Sequence, residues 1–124
     1  MGVLVPLMLV MGTSTALAGA TTSGGNSILA SSGCLVTSNS SCQTGAVSAN
    51  SSGHFVNWGV STLGRGCHWV VRDVGNSVVV GSGNLGAFDD DNGRIPGLFS
   101  SYRLELTSCG LGNNGGINNV NDGG

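Results

Sequence analysis

The chain has 124 residues and few charged ones: four Arg, no Lys and six acidic residues give a net charge of -2. This length predicts one domain, and four Arg are too few for the basic face that a nucleic-acid partner requires. The apolar content of 40% excludes a charge-rich disordered chain. The 23 Gly argue against a helical bundle, because each Gly costs a helix about 1 kcal/mol relative to Ala.

Residues 1–18 have the pattern of a signal peptide. Residues 3–11 form an apolar run that is too short to cross a bilayer, which takes about 20 residues. Ala16-Leu17-Ala18 then fits the small-x-small rule for cleavage, although no Lys or Arg precedes the run. A buried strand or short helix is the alternative interpretation. We expect an extracellular protein that has no contact with the membrane after cleavage.

The part of the chain after residue 18 contains an even number of cysteines: Cys34, Cys42, Cys67 and Cys109. In an oxidising compartment this number favours two disulfides, among three pairings. Zinc is the alternative, but no two cysteines have the close spacing of the usual ligand pairs. Since Cys67 begins one predicted strand and Cys109 follows another, we expect the pairs Cys67–Cys109 and Cys34–Cys42.

This pairing conflicts with the alternation of the strands. Strict alternation places Cys109 on an outward face, whereas Cys67 shares a face with Trp69. Either a bulge near Ser108 or an exposed Trp69 is needed to bring the two cysteines together.

Residues 53–109 carry the clearest strand patterns. Residues 53–60 and 101–107 alternate between apolar and polar residues, which is typical of half-buried strands. Residues 67–74 and 77–80 are two further strand-like runs, the first enriched in β-forming residues on both faces, and the Gly75-Asn76 pair between them predicts a hairpin turn.

These patterns predict an all-β fold: a small antiparallel β-sandwich or barrel of about six or seven short strands, linked by disulfides. The expected organisation is a signal peptide (1–18), a Ser/Gly/Asn-rich segment with one or two edge strands (19–52), a β-rich core (53–109) and a Gly/Asn-rich tail (110–124). Few charges guard the strand edges, so self-association through an edge is also expected.

Two segments match the dinucleotide-binding pattern GxGxxG, at residues 81–86 and 110–115. That function requires a helix that begins at the glycines and lies within a βαβ unit. Neither segment is followed by a helical pattern. We therefore interpret both as turns and predict no cofactor.

One acidic cluster is a candidate calcium loop between strands, formed by Asp89, Asp90, Asp91 and Asn92. Clustered carboxylate and amide oxygens are the ligands that calcium takes, but the EF-hand spacing fails by one position. The alternative is a solvated hairpin tip, with a turn at residues 91–93.

Four residues are candidates for ligand binding: Trp58, Trp69, His68 and Tyr102. Aromatic rings exposed on a secreted sheet would stack on a sugar ring or anchor a protein partner. In the alternative interpretation the rings belong to a two-layer core.

The sequence assembles no catalytic motif. His54 and His68 are the two imidazoles, no GxSxG elbow occurs, and no catalytic residue is assigned. We expect a small, secreted, non-catalytic β-domain that binds at the cell envelope or to an extracellular partner, either a protein or a cell-surface glycan. The alternatives are a secreted inhibitor or toxin-like factor acting on a foreign protein and, less favoured, a compact hydrolase.

Overall fold

The computed structural model describes residues 21–23 and 27–121, so the predicted signal peptide lies outside the described residues. The described part contains β-strands and turns and no helix, which confirms the all-β prediction. The strands are β1 (Thr21–Ser23), β2 (Ser27–Leu29), β3 (Ser31–Leu35), β4 (Cys42–Gln43), β5 (Val47–Ser48), β6 (Phe55–Ser61), β7 (Cys67–Asp73), β8 (Val79–Leu85), β9 (Asp90–Pro96), β10 (Ser101–Thr107) and β11 (Asn114–Asn118).

The strands form a small antiparallel β-sandwich linked by two disulfides. One sheet has four strands in the order β9-β6-β11-β3. The other has the order β4-β10-β7-β8, and β5 also pairs with β10. Strands β1 and β2 pair only with each other among the described strands. Of the two predicted architectures, the sandwich is therefore the one observed.

The core lies between the two sheets, and the alternation of β6 and β10 has the predicted phase. Val56 and Val60 of β6 are buried, as are Leu104 and Leu106 of β10. Phe55 lies on the outward face of β6 but is also buried, because the Arg94 guanidinium covers its ring at 3.8 Å from the centroid. The predicted hairpin is present as well, since β7 and β8 pair across the turn that contains Gly75-Asn76.

Both predicted disulfides are present, Cys34–Cys42 and Cys67–Cys109. The conflict over Cys109 is resolved at Ser108, which has a left-handed backbone (φ 55°) directly after β10 ends. Trp69 is only 6% exposed, so the alternative of an exposed Trp69 is wrong. A single left-handed residue turns Cys109 inward, and a bulge within the strand ladder is not needed.

Two predicted turns are wrong because glycine-rich segments form strands. Residues 81–85 belong to β8 and residues 91–93 belong to β9. Gly83 is the register partner of Trp69, and a Cβ atom at Gly83 would lie 2.7 Å from Trp69 Nε1. Glycine is thus required where the indole ring lies over the neighbouring strand.

The same arrangement recurs in the other sheet. Gly93 is the register partner of Trp58, and a Cβ atom there would lie 3.1 Å from Trp58 Nε1. The rings of Trp58 and Trp69 stack on each other across the sandwich, with centroids 3.8 Å apart and planes inclined by 28°. Two tryptophans therefore fill the space that the glycines leave.

The segment interpreted as a tail contains strand β11. This strand pairs with β6 on one side and β3 on the other, so it lies inside its sheet. A Cβ atom at Gly115 would lie 2.7 Å from Leu104 Cδ2, a side chain of the opposite sheet. The absence of a side chain at Gly115 lets β11 approach the opposite sheet closely at this point.

The two sheets have edges of different character. Edge strand β9 carries Asp90, Asp91 and Arg94, which guard it against pairing with another strand. Edge strand β8 carries no charged side chain. Edge self-association stays a prediction, and β8 and β3 are two edge strands without charged side chains to oppose it.

Candidate functional site

The two tryptophan candidates lie in the core. Trp69 is buried, and Trp58 is half-buried and stacked on it. Neither presents a free ring face comparable to those of the exposed phenylalanines, Phe88 and Phe99. The interpretation of these rings as part of a two-layer core is the one that the structure favours.

The other two candidates lie apart from this pair. Tyr102 is buried, and its hydroxyl oxygen accepts hydrogen bonds of 3.2 Å from the backbone N–H groups of residues 99 and 100. His68 lies on the opposite face of β7 from Trp69, with Nδ1 2.9 Å from Asn84 Oδ1. The four candidates therefore do not share one surface.

The acidic cluster is not arranged as a calcium site. Asp90, Asp91 and Asn92 lie in β9, where successive side chains point to opposite faces. The Oδ1 atoms of Asp89 and Asp91 each accept a hydrogen bond of 2.9 Å from the next residue's N–H. Among the described residues, no group of three or more His, Cys, Asp or Glu is placed to hold a metal ion.

The outward face of the five-stranded sheet holds an ion-pair cluster on β7 and β10. Glu105 Oε2 lies 3.1 Å from Arg72 Nε and 2.6 Å from Arg103 Nε. Partial burial acts to raise the pKa of Glu105, but hydrogen bonds from Arg103 and Arg72 and their positive charges outweigh it, and the pKa is lowered.

This lowered pKa predicts a pH-dependent contribution to stability. The folded state favours the Glu105 carboxylate, so its contribution is complete above its usual pKa of 4.5 and is lost as pH falls through the lower folded pKa. The free energy of unfolding of the wild type should exceed that of Glu105→Gln by at most about 1 kcal/mol at neutral pH, because the ion-pair cluster is partly exposed to solvent. Urea unfolding at several pH values measures this difference. A difference that grows on acidification would contradict the assignment.

Four loops meet at the end of the sandwich that carries both disulfides, which we call the disulfide end. They are residues 36–41, 62–66, 86–89 and 108–113, and each passes from one sheet to the other. Loops that connect elements of a rigid scaffold are the usual place for binding residues.

Asn113 joins two of these loops and is completely buried. Its Oδ1 accepts a 2.8 Å hydrogen bond from the Leu63 N–H, and its Nδ2 donates to the carbonyls of Arg65 and Gly66 at 3.0 and 3.1 Å. The side-chain amide thus pairs with three backbone groups of the 62–66 loop and leaves none of its own polar atoms unpaired in the interior.

Backbone hydrogen bonds join the remaining loops. The Phe88 N–H donates to the Leu63 carbonyl at 2.6 Å, which links residues 86–89 to residues 62–66. The N–H groups of Cys109 and Gly112 donate to the carbonyls of Ser40 and Val36, both at 2.9 Å. The four loops therefore form one connected unit.

Each loop carries or adjoins one large exposed apolar side chain, and together these form the four-loop surface: Leu35, Leu63, Phe88 and Leu111. The exposed fraction ranges from 51% at Leu63 to 81% at Phe88. Leu63 also lies against Gly112, where its Cδ1 would be 2.6 Å from an added Cβ atom. This contact brings Leu63 next to the loop that carries Leu111.

Phe88 has a left-handed backbone with φ 53°. A bulky residue rarely adopts this conformation, which costs about 1 kcal/mol or more. Its ring points into solvent and contributes little burial to the fold. The backbone of Phe88 is therefore strained, and its side chain does little to stabilise the fold.

The sequence does not reveal this surface, because its members lie far apart along the chain. The buried asparagines are also missed, since Asn50, Asn57, Asn113 and Asn119 resemble ordinary loop residues until the hydrogen bonds are known.

The fold and this surface together define a disulfide-linked antiparallel β-sandwich with an apolar set of rigid loops at one end. No protein-family model, no curated protein and no solved structure matches the chain. The two disulfides are compatible with an extracellular protein. In the part of the chain that the structure describes, no helix has the length and apolar character required to cross a membrane.

Proposed function

We propose that this chain is an exported, non-catalytic binding module that docks an extracellular protein through the four-loop surface. The observation that carries the proposal is one large exposed apolar side chain on or next to each of four loops, whose backbones are joined by hydrogen bonds and disulfides.

The four exposed apolar side chains are unfavourable for solubility. Exposed apolar side chains favour aggregation, and where several gather at one end of a soluble protein they commonly mark an interaction site. Here the loops are already ordered by Asn113 and by the backbone links between them. Binding through ordered loops loses little conformational entropy, which strengthens affinity.

The strain at Phe88 supports the same proposal. A strained backbone at an exposed aromatic residue is retained where the ring has a function outside the fold. Buried aromatic anchors contribute much of the energy of protein interfaces. Phe88 is the side chain we place in a pocket of the partner.

The charges of the loops indicate the partner's chemistry. Arg65 and Asp89 are the charged residues in the four loops, and both are exposed. A nearly neutral surface contributes little electrostatic steering. We therefore propose a partner that offers an apolar pocket with a polar rim.

The exported and non-catalytic parts of the proposal have separate support. The signal-peptide pattern of residues 1–18 and the two disulfides favour export. His54 contacts an aromatic ring and His68 contacts an amide, and neither contact is the nucleophile–base pair of a hydrolase.

Affinity capture with two variants tests the proposal. The mature protein is immobilised, extracellular proteins of the source are passed over it, and the affinity of each retained protein is then measured by calorimetry. Phe88→Asn should weaken binding by about 30-fold, the loss typical of an interface anchor. Asn tolerates a left-handed backbone, so this variant should fold at least as well as wild type.

Phe99→Ala is the matched control, because it removes an equally exposed ring at the opposite end of the sandwich. This variant should retain the partner with unchanged affinity. Equal binding by wild type and Phe88→Asn would overturn the proposal. If the partner is an enzyme that loses activity at one-to-one stoichiometry, the inhibitor alternative is the correct form of the proposal.

A further inference from the structure

A concave surface lies at the end of the sandwich opposite the disulfide end, between residues 49–54 and 97–100. It is a shallow groove of about 360 Å³. Phe99 forms one wall and is 77% exposed, while Leu98 beside it is buried and anchors the loop in the core.

Three backbone hydrogen bonds fix the walls of the groove. The Leu98 N–H donates to the His54 carbonyl, and the Ala49 N–H donates to the Ser100 carbonyl, both at 2.9 Å. The His54 N–H in turn donates to the Asn50 carbonyl at 2.8 Å. Backbone hydrogen bonds thus tie the two loops to each other and hold the walls of the groove in place.

Phe99 is held in place both at its ring and at its backbone. The His54 ring packs against it, with centroids 4.4 Å apart and planes inclined by 30°. The backbone N–H groups of residues 99 and 100 both donate to the Tyr102 hydroxyl below. His54 reaches this position with a left-handed backbone, φ 57°.

The rest of the lining is rich in hydroxyl groups. Ser48 Oγ and Ser101 Oγ lie 3.2 Å apart, so one donates to the other and keeps its own lone pairs for a ligand. Ser100 Oγ donates to Asp73 Oδ1 at 3.2 Å, which leaves the Ser100 oxygen free to accept. The described lining of the groove contains no Asp, Glu, Lys or Arg.

We propose that this groove binds a neutral carbohydrate, with one pyranose ring stacked on Phe99. The C–H groups on one face of a pyranose meet the electron-rich face of an aromatic ring, and its hydroxyls pair with serine hydroxyls. An uncharged lining matches an uncharged sugar, because buried charges on a ligand would have no partners here. This site is separate from the four-loop surface and does not depend on the protein-docking proposal.

Titration by ¹H–¹⁵N nuclear magnetic resonance tests the proposal on the mature chain. The probes are neutral oligosaccharides of glucose, mannose and N-acetylglucosamine, and a sulfated oligosaccharide as the charged comparison. At least one neutral sugar should move the amide signals of residues 48–54 and 98–101 in a saturable way. Phe99→Ala should weaken that binding by about tenfold, as expected for loss of one ring contact.

Two further variants locate the effect. His54→Asn keeps a residue that tolerates the left-handed backbone but removes the ring that supports Phe99, and it should weaken binding several-fold. Phe88→Asn is the matched control at the disulfide end and should leave sugar binding unchanged. The proposal is overturned if no neutral sugar moves these signals, if the sulfated sugar binds more tightly, or if Phe88→Asn weakens binding as much as Phe99→Ala. Movement of the groove signals by the captured protein partner alone would also overturn it.

Discussion

Replacing Trp69 with alanine is expected to lower the free energy of unfolding by about 3–5 kcal/mol, the range for truncating a buried aromatic residue. Trp69 is buried, stacks on Trp58 and covers the side-chain-free surface above Gly83. Its loss leaves a cavity that has glycine, and so no side chain, on one side. Chemical denaturation monitored by circular dichroism measures the change.

A double-mutant cycle isolates the relation between Trp69 and Gly83. Gly83→Ala alone should be destabilising, because the added Cβ atom meets the indole nitrogen at 2.7 Å. In the Trp69→Ala background that clash is absent, so the same substitution should have little effect or be stabilising. Two effects that simply add would show that the ring does not impose glycine at this position.

Removing the disulfide Cys67–Cys109 is expected to be the other large perturbation. The bond spans 42 residues, and the chain-entropy relation for a loop of that length gives a loss of about 4 kcal/mol for Cys67→Ala/Cys109→Ala. A small domain has total stability of only about 5–15 kcal/mol. The variant should therefore unfold at much lower denaturant concentration.

The pair Cys34→Ala/Cys42→Ala is the matched comparison. This bond spans eight residues, and the same relation gives a loss of about 2.5 kcal/mol. The order of the two losses is the result to check by urea unfolding under non-reducing conditions. A larger loss from the short-loop bond would contradict the entropic account.

The strands that could be predicted from the sequence are those whose inward positions carry apolar side chains. Val56, Val60, Leu104 and Leu106 show the alternation directly. The disulfide pairing followed from the order of the strands, because Cys67 begins one strand and Cys109 follows its antiparallel neighbour.

The strand segments that were missed, residues 81–85 of β8 and the strands β9 and β11, share one physical cause. In β8, β9 and β11 some inward positions are glycines, and the volume there is supplied by side chains of other strands. Trp69 fills the space at Gly83, Trp58 at Gly93 and Leu104 at Gly115. Apolar alternation in the sequence cannot be seen at such positions, because the glycine itself has no side chain. These segments therefore resembled turns and a tail.

The candidate binding surface was out of reach of the sequence for a different reason. Leu35 and Leu111 lie far apart along the chain, and the sandwich topology alone brings their loops to one end. The aromatic binding candidates were chosen from strands, and the prediction of an exposed ring is wrong for Trp69, because its side chain is buried in the core. The exposed rings, Phe88 and Phe99, belong to loops.

Amide hydrogen exchange at the disulfide end tests most directly the claim that the four loops form one ordered unit. The N–H groups of Val36, Leu63, Phe88, Cys109 and Gly112 all donate hydrogen bonds within that unit. The account predicts that they exchange slowly, with protection comparable to that of the strands. Exchange of these amides at the rate of an unstructured chain, while the strands stay protected, would contradict it.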